Sequence, residues 1–173
     1  MLTLDDDAVE VSPLEVTTAQ INDYARRVAD QFGIYDDDGK ADLPRLLSML
    51  GGKVEVKDGA ESLLVHDDET FTIYVSGRTS PRRDRFTIAH ELGHYLLHHL
   101  NGDRQVRRFT RQGSNAAETQ ANYFAAALIM PTEQFTQAHR ALGGDLWRLA
   151  RQFDVSPAAA EVRAAVLGLP AAK

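Results

Sequence analysis

Residues 80–102 read Ser80-Pro81-Arg82-Arg83-Asp84-Arg85-Phe86-Thr87-Ile88-Ala89-His90-Glu91-Leu92-Gly93-His94-Tyr95-Leu96-Leu97-His98-His99-Leu100-Asn101-Gly102. Ser80 and Pro81 mark a helix start, Phe86, Ala89, Leu92, Leu96 and Leu100 form its apolar stripe, and Asn101-Gly102 ends it. On such a helix His90 and His94 lie one above the other on one face, with imidazoles able to converge on one ion, and Glu91 lies about 100° around the axis. Metal-assisted hydrolysis requires this arrangement: two neutral nitrogen donors, and a carboxylate placed to take a proton from water. Chance produces His-Glu-x-x-His roughly once in a hundred chains of this composition, and its alternative here is a polar helix face that carries histidines by accident.

A catalytic zinc needs a third protein ligand and one open position. Along a straight helix His98 lies about 12 Å from His90, too far to share an ion bound at about 2 Å, and His99 points away. Leu100 stands where the metzincin spacing requires histidine, which excludes that class. The next helix, roughly Asn115 to Met130, offers Glu118 on a face continued by Ala121, Asn122 and Ala125, small enough for close packing. Glu118 is the best candidate, with a simple helix cap as its alternative, because Asn115 and Glu118 approximate a capping box. His66, Asp67, Asp68 and His139 are weaker candidates, three in a strand or turn and the last on a helix that reads as peripheral.

The chain around this helix has 173 residues, 43% hydrophobic, enough for one domain with a small appendage. Its net charge of −6 argues against binding nucleic acid or a membrane surface by overall charge. With no cysteine, any metal must be held by His, Asp or Glu, and the reducing cytoplasm is the default compartment. Met1 to Glu10 is acidic, without the basic start of a signal or presequence, and the longest apolar run, Tyr123 to Met130, is too short to cross a bilayer. The expectation is a soluble protein without export. Arg78 to Gln112 holds eight arginines, a basic island that reads as a solvated face or as a steering surface for substrate.

Residues 17–32 read as an amphipathic helix, with Thr17 and Gln20 as a capping box and Gly33 as the stop. Asp36-Asp37-Asp38-Gly39 fails the calcium-loop register and reads as a plain acidic loop. A short helix follows from Leu43 to Leu50, capped by Asp42. Lys53 to Lys57, Ser62 to His66 and Thr70 to Val75 alternate with period two and predict a small antiparallel meander of three strands. From residue 81 the pattern is helical to the end. The fold class is therefore α+β, a small sheet packed with helices and a helical C-terminal part. The domain reading is 1–131 for the α+β unit and 132–173 for a helical tail.

Two strings together carry a resemblance. Arg85 to His98, followed by Glu118-Thr119-Gln120-Ala121-Asn122-Tyr123-Phe124-Ala125-Ala126 and Leu128-Ile129-Met130-Pro131, resembles the ImmA/IrrE family of metallopeptidases. The likeness runs from about residue 20 to Leu169 and is concentrated between residues 81 and 131. It implies a gluzincin-like zinc site with His90, His94 and Glu118 as ligands and Glu91 as the catalytic carboxylate, with Mn2+ or another divalent metal as alternatives. It also implies a protein substrate: an intracellular protease that cuts a helix-turn-helix repressor in stress response or mobile-element control. An oxyanion stabiliser is still required, with Tyr95, His98, Tyr123 or an arginine of the island as candidates. The strand from Thr70 to Val75 is expected either to pair with substrate as a sheet edge or simply to pack. Relative to longer members the chain is expected to lack a C-terminal sensor domain.

Leu146 to Phe153 and Pro157 to Leu167 read like a helix-turn-helix. This supports the rival reading of a DNA-binding or protein-binding regulator with a non-catalytic zinc. The would-be recognition helix offers one arginine, Arg163, one glutamate and no Asn, Gln or Lys, so direct DNA binding is not expected. The tail reads instead as a packing or repressor-docking element. A third reading is a latent protein that binds metal but cleaves only with a partner.

Overall fold

A computed structural model describes residues 11–110 and 115–172. The acidic stretch Met1 to Glu10 and Arg111 of the basic island lie outside the described residues. The element order is α1 (Thr18–Phe32), α2 (Leu43–Leu50), β1 (Gly52–Val56), β2 (Ser62–Val65), β3 (Phe71–Val75), α3 (Pro81–Gly93), β4 (Arg108–Thr110), α4 (Ala116–Ile129), α5 (Thr132–Ala141), α6 (Leu146–Phe153) and α7 (Pro157–Val166). Helix α3 runs without interruption into a π-helical segment, His94–Leu100. The fold is α+β, as the periodicities predict.

Local chemistry places the helix ends. Thr17 and Gln20 form the full capping box of α1, and Gly33 closes it in the left-handed conformation, φ 59°. Asp42 caps α2 through the Arg45 amide, Ser80 caps α3 through the Arg83 amide, and Ser156 caps α7 through the Ala159 amide. Each cap satisfies a backbone donor that the first turn cannot pair internally.

The sheet differs from the predicted meander in two ways. It has four strands in the order β1-β3-β2-β4, and β1 pairs with β3 in parallel, while β2 pairs antiparallel with β3 and β4. The Asp58–Glu61 connection therefore skips one strand position instead of closing a hairpin. A crossing of about 10 Å is within reach of a few extended residues, so a short polar connection does not by itself specify nearest-neighbour pairing. The β2–β3 turn is a true hairpin, with the His66 amide donating to the Thr70 carbonyl at 2.7 Å. β3 is central and buried on both faces, Thr72 included, so it is not an edge open to substrate; the edges are β1 and β4.

β4 also interrupts the expected all-helical second half. Its three residues are too short to show alternation, yet Phe109 is buried and carries the strand into the core. One face of the sheet contributes Leu63, Val65, Phe71, Ile73 and Val75 to a single apolar core that also contains Leu92, Leu96, Phe124, Leu128, Phe135 and Phe153.

Arg163 of α7 is the largest fully buried side chain. Its guanidinium donates to the Met130 carbonyl (3.0 Å), the Thr132 hydroxyl (3.1 Å) and Asn22 Oδ1 (3.5 Å), binding α7 to the α4–α5 corner and to α1. Burial lowers its pKa to about 10, so it stays charged at neutral pH. Arg163→Met keeps the stem but leaves the Met130 carbonyl and the Thr132 hydroxyl without this donor. A loss of about 2–4 kcal/mol is expected in urea unfolding at neutral pH, with the m-value unchanged.

Candidate metal centre

The centre is built across two antiparallel helices. Rising along α3 from His90 to His94 corresponds to descending along α4 from Asn122 to Glu118, because His90 faces Asn122 and His94 faces Glu118. The axes can approach because residue 93 is glycine. A Cβ there would lie 3.1 Å from both the Ala121 Cα and the Ala121 carbonyl oxygen, and 3.3 Å from the Phe124 Cβ. Ala121 is itself small and fully buried, so glycine faces alanine at the crossing.

Three side chains meet at the resulting point. The Glu118 carboxylate spans both imidazoles, Oε1 at 2.8 Å from His94 Nε2 and Oε2 at 3.0 Å from His90 Nε2. The candidate donor atoms of His90, His94 and Glu118 all lie within 4.8 Å of one another. The two rings are nearly perpendicular, 84°, with centroids 4.8 Å apart. Glu118 serves locally as well: its backbone amide donates to Asn115 Oδ1 at 2.9 Å, while its side chain goes to the histidines. Glu118 thus takes part in the α4 cap through its backbone amide while its carboxylate faces both imidazoles.

Burial makes this arrangement costly without compensation. His90, Glu91 and His94 are 1–2% exposed and Glu118 is 7% exposed. Burial acts to raise the Glu118 carboxyl, but hydrogen bonds and positive charge from His90 and His94 overcome it and hold the group well below the usual carboxylate range. His90 Nε2 is buried without a hydrogen bond of good geometry, although it points at the same spot as the carboxylate. Two imidazole nitrogens and a carboxylate oxygen are a zinc-type donor set, whose atoms sit roughly 3.4 Å apart around a tetrahedral ion. Here the three donor atoms lie within 4.8 Å of one another, so the donor set fits a small divalent cation.

The remaining candidates are distributed elsewhere. His66 bonds Thr72 Oγ1, Asp68 caps its own turn at Thr70, and neither these nor Asp67 nor His139 enters the group. His99 bonds Glu69 and the Val106 carbonyl. The Tyr95 hydroxyl reaches towards the Glu69 carbonyl, and its ring stacks on Phe71 at 4.1 Å. Of the basic island, Arg82 pairs with Asp154 of the tail at 3.4 Å, Arg83 lies 3.9 Å from Glu61, and Arg85 donates to the Ala41 carbonyl.

Sequence reasoning named Asn122 only as part of the Glu118 face and His98 only as an oxyanion candidate set aside as a ligand, and it missed Gln120 and Phe109. Asn122 receives His90 Nδ1 at 2.8 Å, His98 faces His94 Nδ1 at 2.9 Å, Gln120 faces His98 Nε2 at 3.0 Å, and Phe109 stacks on the His94 ring at 5.3 Å. Asn122, four residues after Glu118, lies on the helix face that the spacing assigned to Glu118, and its contact with His90 is made from that face. Phe109 had no such signal, since its strand is defined only by pairing with β2.

The chain belongs to peptidase family M78: the family model, described as the IrrE N-terminal-like domain, matches residues 52–165. Its relatives include the radiation response metalloprotease IrrE of Deinococcus deserti, 35% identical over 114 residues, which are 60% of this chain and 37% of that protein. The metallopeptidase ImmA of Bacillus subtilis is 33% identical over 79 residues, 46% of this chain and 47% of that protein. The aligned region therefore spans less than half the length of either relative. A solved Mycobacterium tuberculosis transcriptional regulator shares the fold, with a TM-score of 0.58 and 22% identity over 82% of this chain and 45% of that one.

The Gly93–Ala121 approach yields a direct test. Gly93→Ala inserts a methyl against backbone, which cannot yield as a flexible side chain would, and moves α4 with Glu118 away from the histidines. Isothermal titration with zinc is expected to show at least about tenfold weaker binding, with a stability loss of about 1–3 kcal/mol in the metal-free protein.

Proposed function

We propose that this chain is a zinc-dependent metalloendopeptidase, working in the cytoplasm as a regulatory protease on a helix-turn-helix transcriptional repressor. The observation that carries the enzymatic part is the buried convergence of His90, His94 and Glu118, with Glu91 next in sequence to the first of them. Family membership and the metalloprotease names of two relatives support peptide hydrolysis. The repressor as target follows from the family resemblance, and the cytoplasmic setting from the cysteine-free composition. Among the described residues no helix is long and apolar enough to cross a membrane.

His90, His94 and Glu118 would hold the ion, zinc by donor preference and Mn2+ or another divalent metal as an alternative. When bound, such an ion supplies Lewis acidity for the peptide carbonyl and makes water a nucleophile near neutral pH. Glu91 takes the proton from the attacking water and delivers it to the leaving amine. Its burial, at 1% exposure, keeps bulk water from competing for that proton.

A peptide has somewhere to lie. Thr87 and His90 on α3, with Asn122 and Ala126 on α4, continue the metal face by helical steps of three and four. Of these, Thr87, Asn122 and Ala126 line a crevice of about 690 Å³ that α7 also lines, through Val162 and Val166. Among the residues considered for oxyanion stabilisation, Tyr123 and the island arginines Arg82 and Arg83 line this crevice. Its charged residues are arginines, Arg82, Arg83 and Arg163, with no acid among them, which supports a steering role for the exposed Arg83.

DNA binding finds less support. Arg163, the one base of the would-be recognition helix, is turned into the core, and α7 exposes Glu161, Val162 and Val166 instead.

The test is cleavage of the repressor encoded beside the gene, compared for wild type and Glu91→Gln, with metal content measured on both. Retained metal with cleavage reduced at least about 100-fold is the expected result. Equal cleavage by both removes Glu91 as the base. Metal without cleavage in either would favour a non-catalytic regulator.

A further inference from the structure

His94 is the centre of a hydrogen-bonded chain that leads out of the metal site to the segment preceding α1. Gln120 grips the main chain of Leu14 with both ends of its amide: Nε2 donates to the Leu14 carbonyl at 2.7 Å, and Oε1 accepts from the Leu14 amide at 2.9 Å. This double contact decides the orientation of the amide, because the flipped form would set donor against donor and acceptor against acceptor. Oε1 also faces His98 Nε2 at 3.0 Å. An amide oxygen has only lone pairs to offer, so the His98 proton belongs on Nε2.

The other end demands the same pattern. His98 Nδ1 and His94 Nδ1 face each other at 2.9 Å, a contact that requires one hydrogen between them. If His94 gives the lone pair of Nε2 to a metal, its remaining proton is on Nδ1, and His98 Nδ1 must be bare. A neutral His98 with a bare Nδ1 carries its proton on Nε2, where Gln120 Oε1 waits for it. A flipped Gln120 would push the His98 proton to Nδ1, against the His94 Nδ1 proton.

We propose that Gln120 and His98 are positioning residues for the metal centre: anchored on the Leu14 backbone, they hold the His94 proton on Nδ1 and direct its Nε2 lone pair at the ion. Asn122 does the same for His90 in one step, with Oδ1 accepting from Nδ1 at 2.8 Å. The His94 relay has two side chains and ends on the main chain of Leu14, 106 residues from Gln120 in sequence, so the segment before α1 takes part in preparing the site. The inference rests on the metal reading given above.

The experiment uses full-length protein loaded with zinc and histidine side chains labelled with 15N. Long-range 1H–15N correlation is expected to show His94 ligated through Nε2 with its proton on Nδ1, and His98 protonated on Nε2. Zinc affinity by chelator competition is then compared for Gln120→Met, His98→Phe and His98→Asn. Met fills the space of Gln without an acceptor, and Phe fills the space of His without one. Asn places an Oδ1 where His98 Nδ1 accepts.

Gln120→Met and His98→Phe should weaken zinc binding about 10- to 100-fold, and His98→Asn should restore it to within about threefold of wild type. A merely structural role would not separate Asn from Phe in this way. His98 protonated on Nδ1 in the loaded wild type, a reading independent of any variant, would overturn the relay. So would zinc affinities of Gln120→Met and His98→Phe within twofold of wild type. Failure of the wild type itself to bind zinc would instead remove the metal reading, and the relay with it.

Discussion

The close crossing of α3 and α4 is the constraint on which the site depends. Two histidines one turn apart on a single helix supply two donors and no more, and the third comes from 24 residues beyond His94. Its side chain arrives only because Gly93 meets Ala121 with no methyl between them. Asn115 sets the height of the same residue by capping α4, so that Glu118 occupies the third position of the helix and faces the histidines across the crossing. A loose contact between these helices would leave a stable bundle and no binding site.

The chemistry around that crossing is expensive to bury. Four histidines and two glutamates from α3, its π-helical continuation and α4 are removed from water. Each ring is restrained by a partner: His90 by Asn122, His94 by His98 and the Phe109 ring, His98 by Gln120, and His99 by Glu69 and the Val106 carbonyl. Burial pushes His98 down to about 4, so this ring works as a neutral hydrogen-bonding group at physiological pH. Glu118 shows the opposite balance, since hydrogen bonds from His90 and His94, with their charge, outweigh the burial that would raise its pKa. A buried group of two imidazoles and a carboxylate converging on one point is a donor set that suits a small cation.

The C-terminal helices join this frame by polar as well as apolar contacts. Phe135, Leu149 and Phe153 enter the common core, while Arg163 spends its donors on the α4–α5 corner. The same helix, α7, lines a crevice together with Thr87 of α3 and Asn122 and Ala126 of α4. A helix that reads like a DNA-recognition element in one dimension thus contributes its one base to packing and its valines to the crevice.

The three side chains that converge at the candidate centre, and most helices, were legible because their signals are local. The 3.6-residue period places His90 over His94, caps at Thr17, Asp42, Ser80 and Ser156 mark helix starts, and a carboxylate three residues after Asn115 is visible by spacing. Strand neighbours were not legible: alternation says which side of Phe71, Ile73 and Val75 is buried, but not that β1 lies parallel on one side of β3 and β2 antiparallel on the other. Nor could a three-residue strand such as β4 declare itself, or Arg163 reveal that its charge points inward. Residue types and periodicity determined the donor set and the helices that carry it, because those follow from backbone geometry over one or two turns. Tertiary packing alone decided that Glu118 reaches the imidazoles, that Gln120 meets both Leu14 and His98, and that β3 is central, since each depends on distances between segments far apart in the chain.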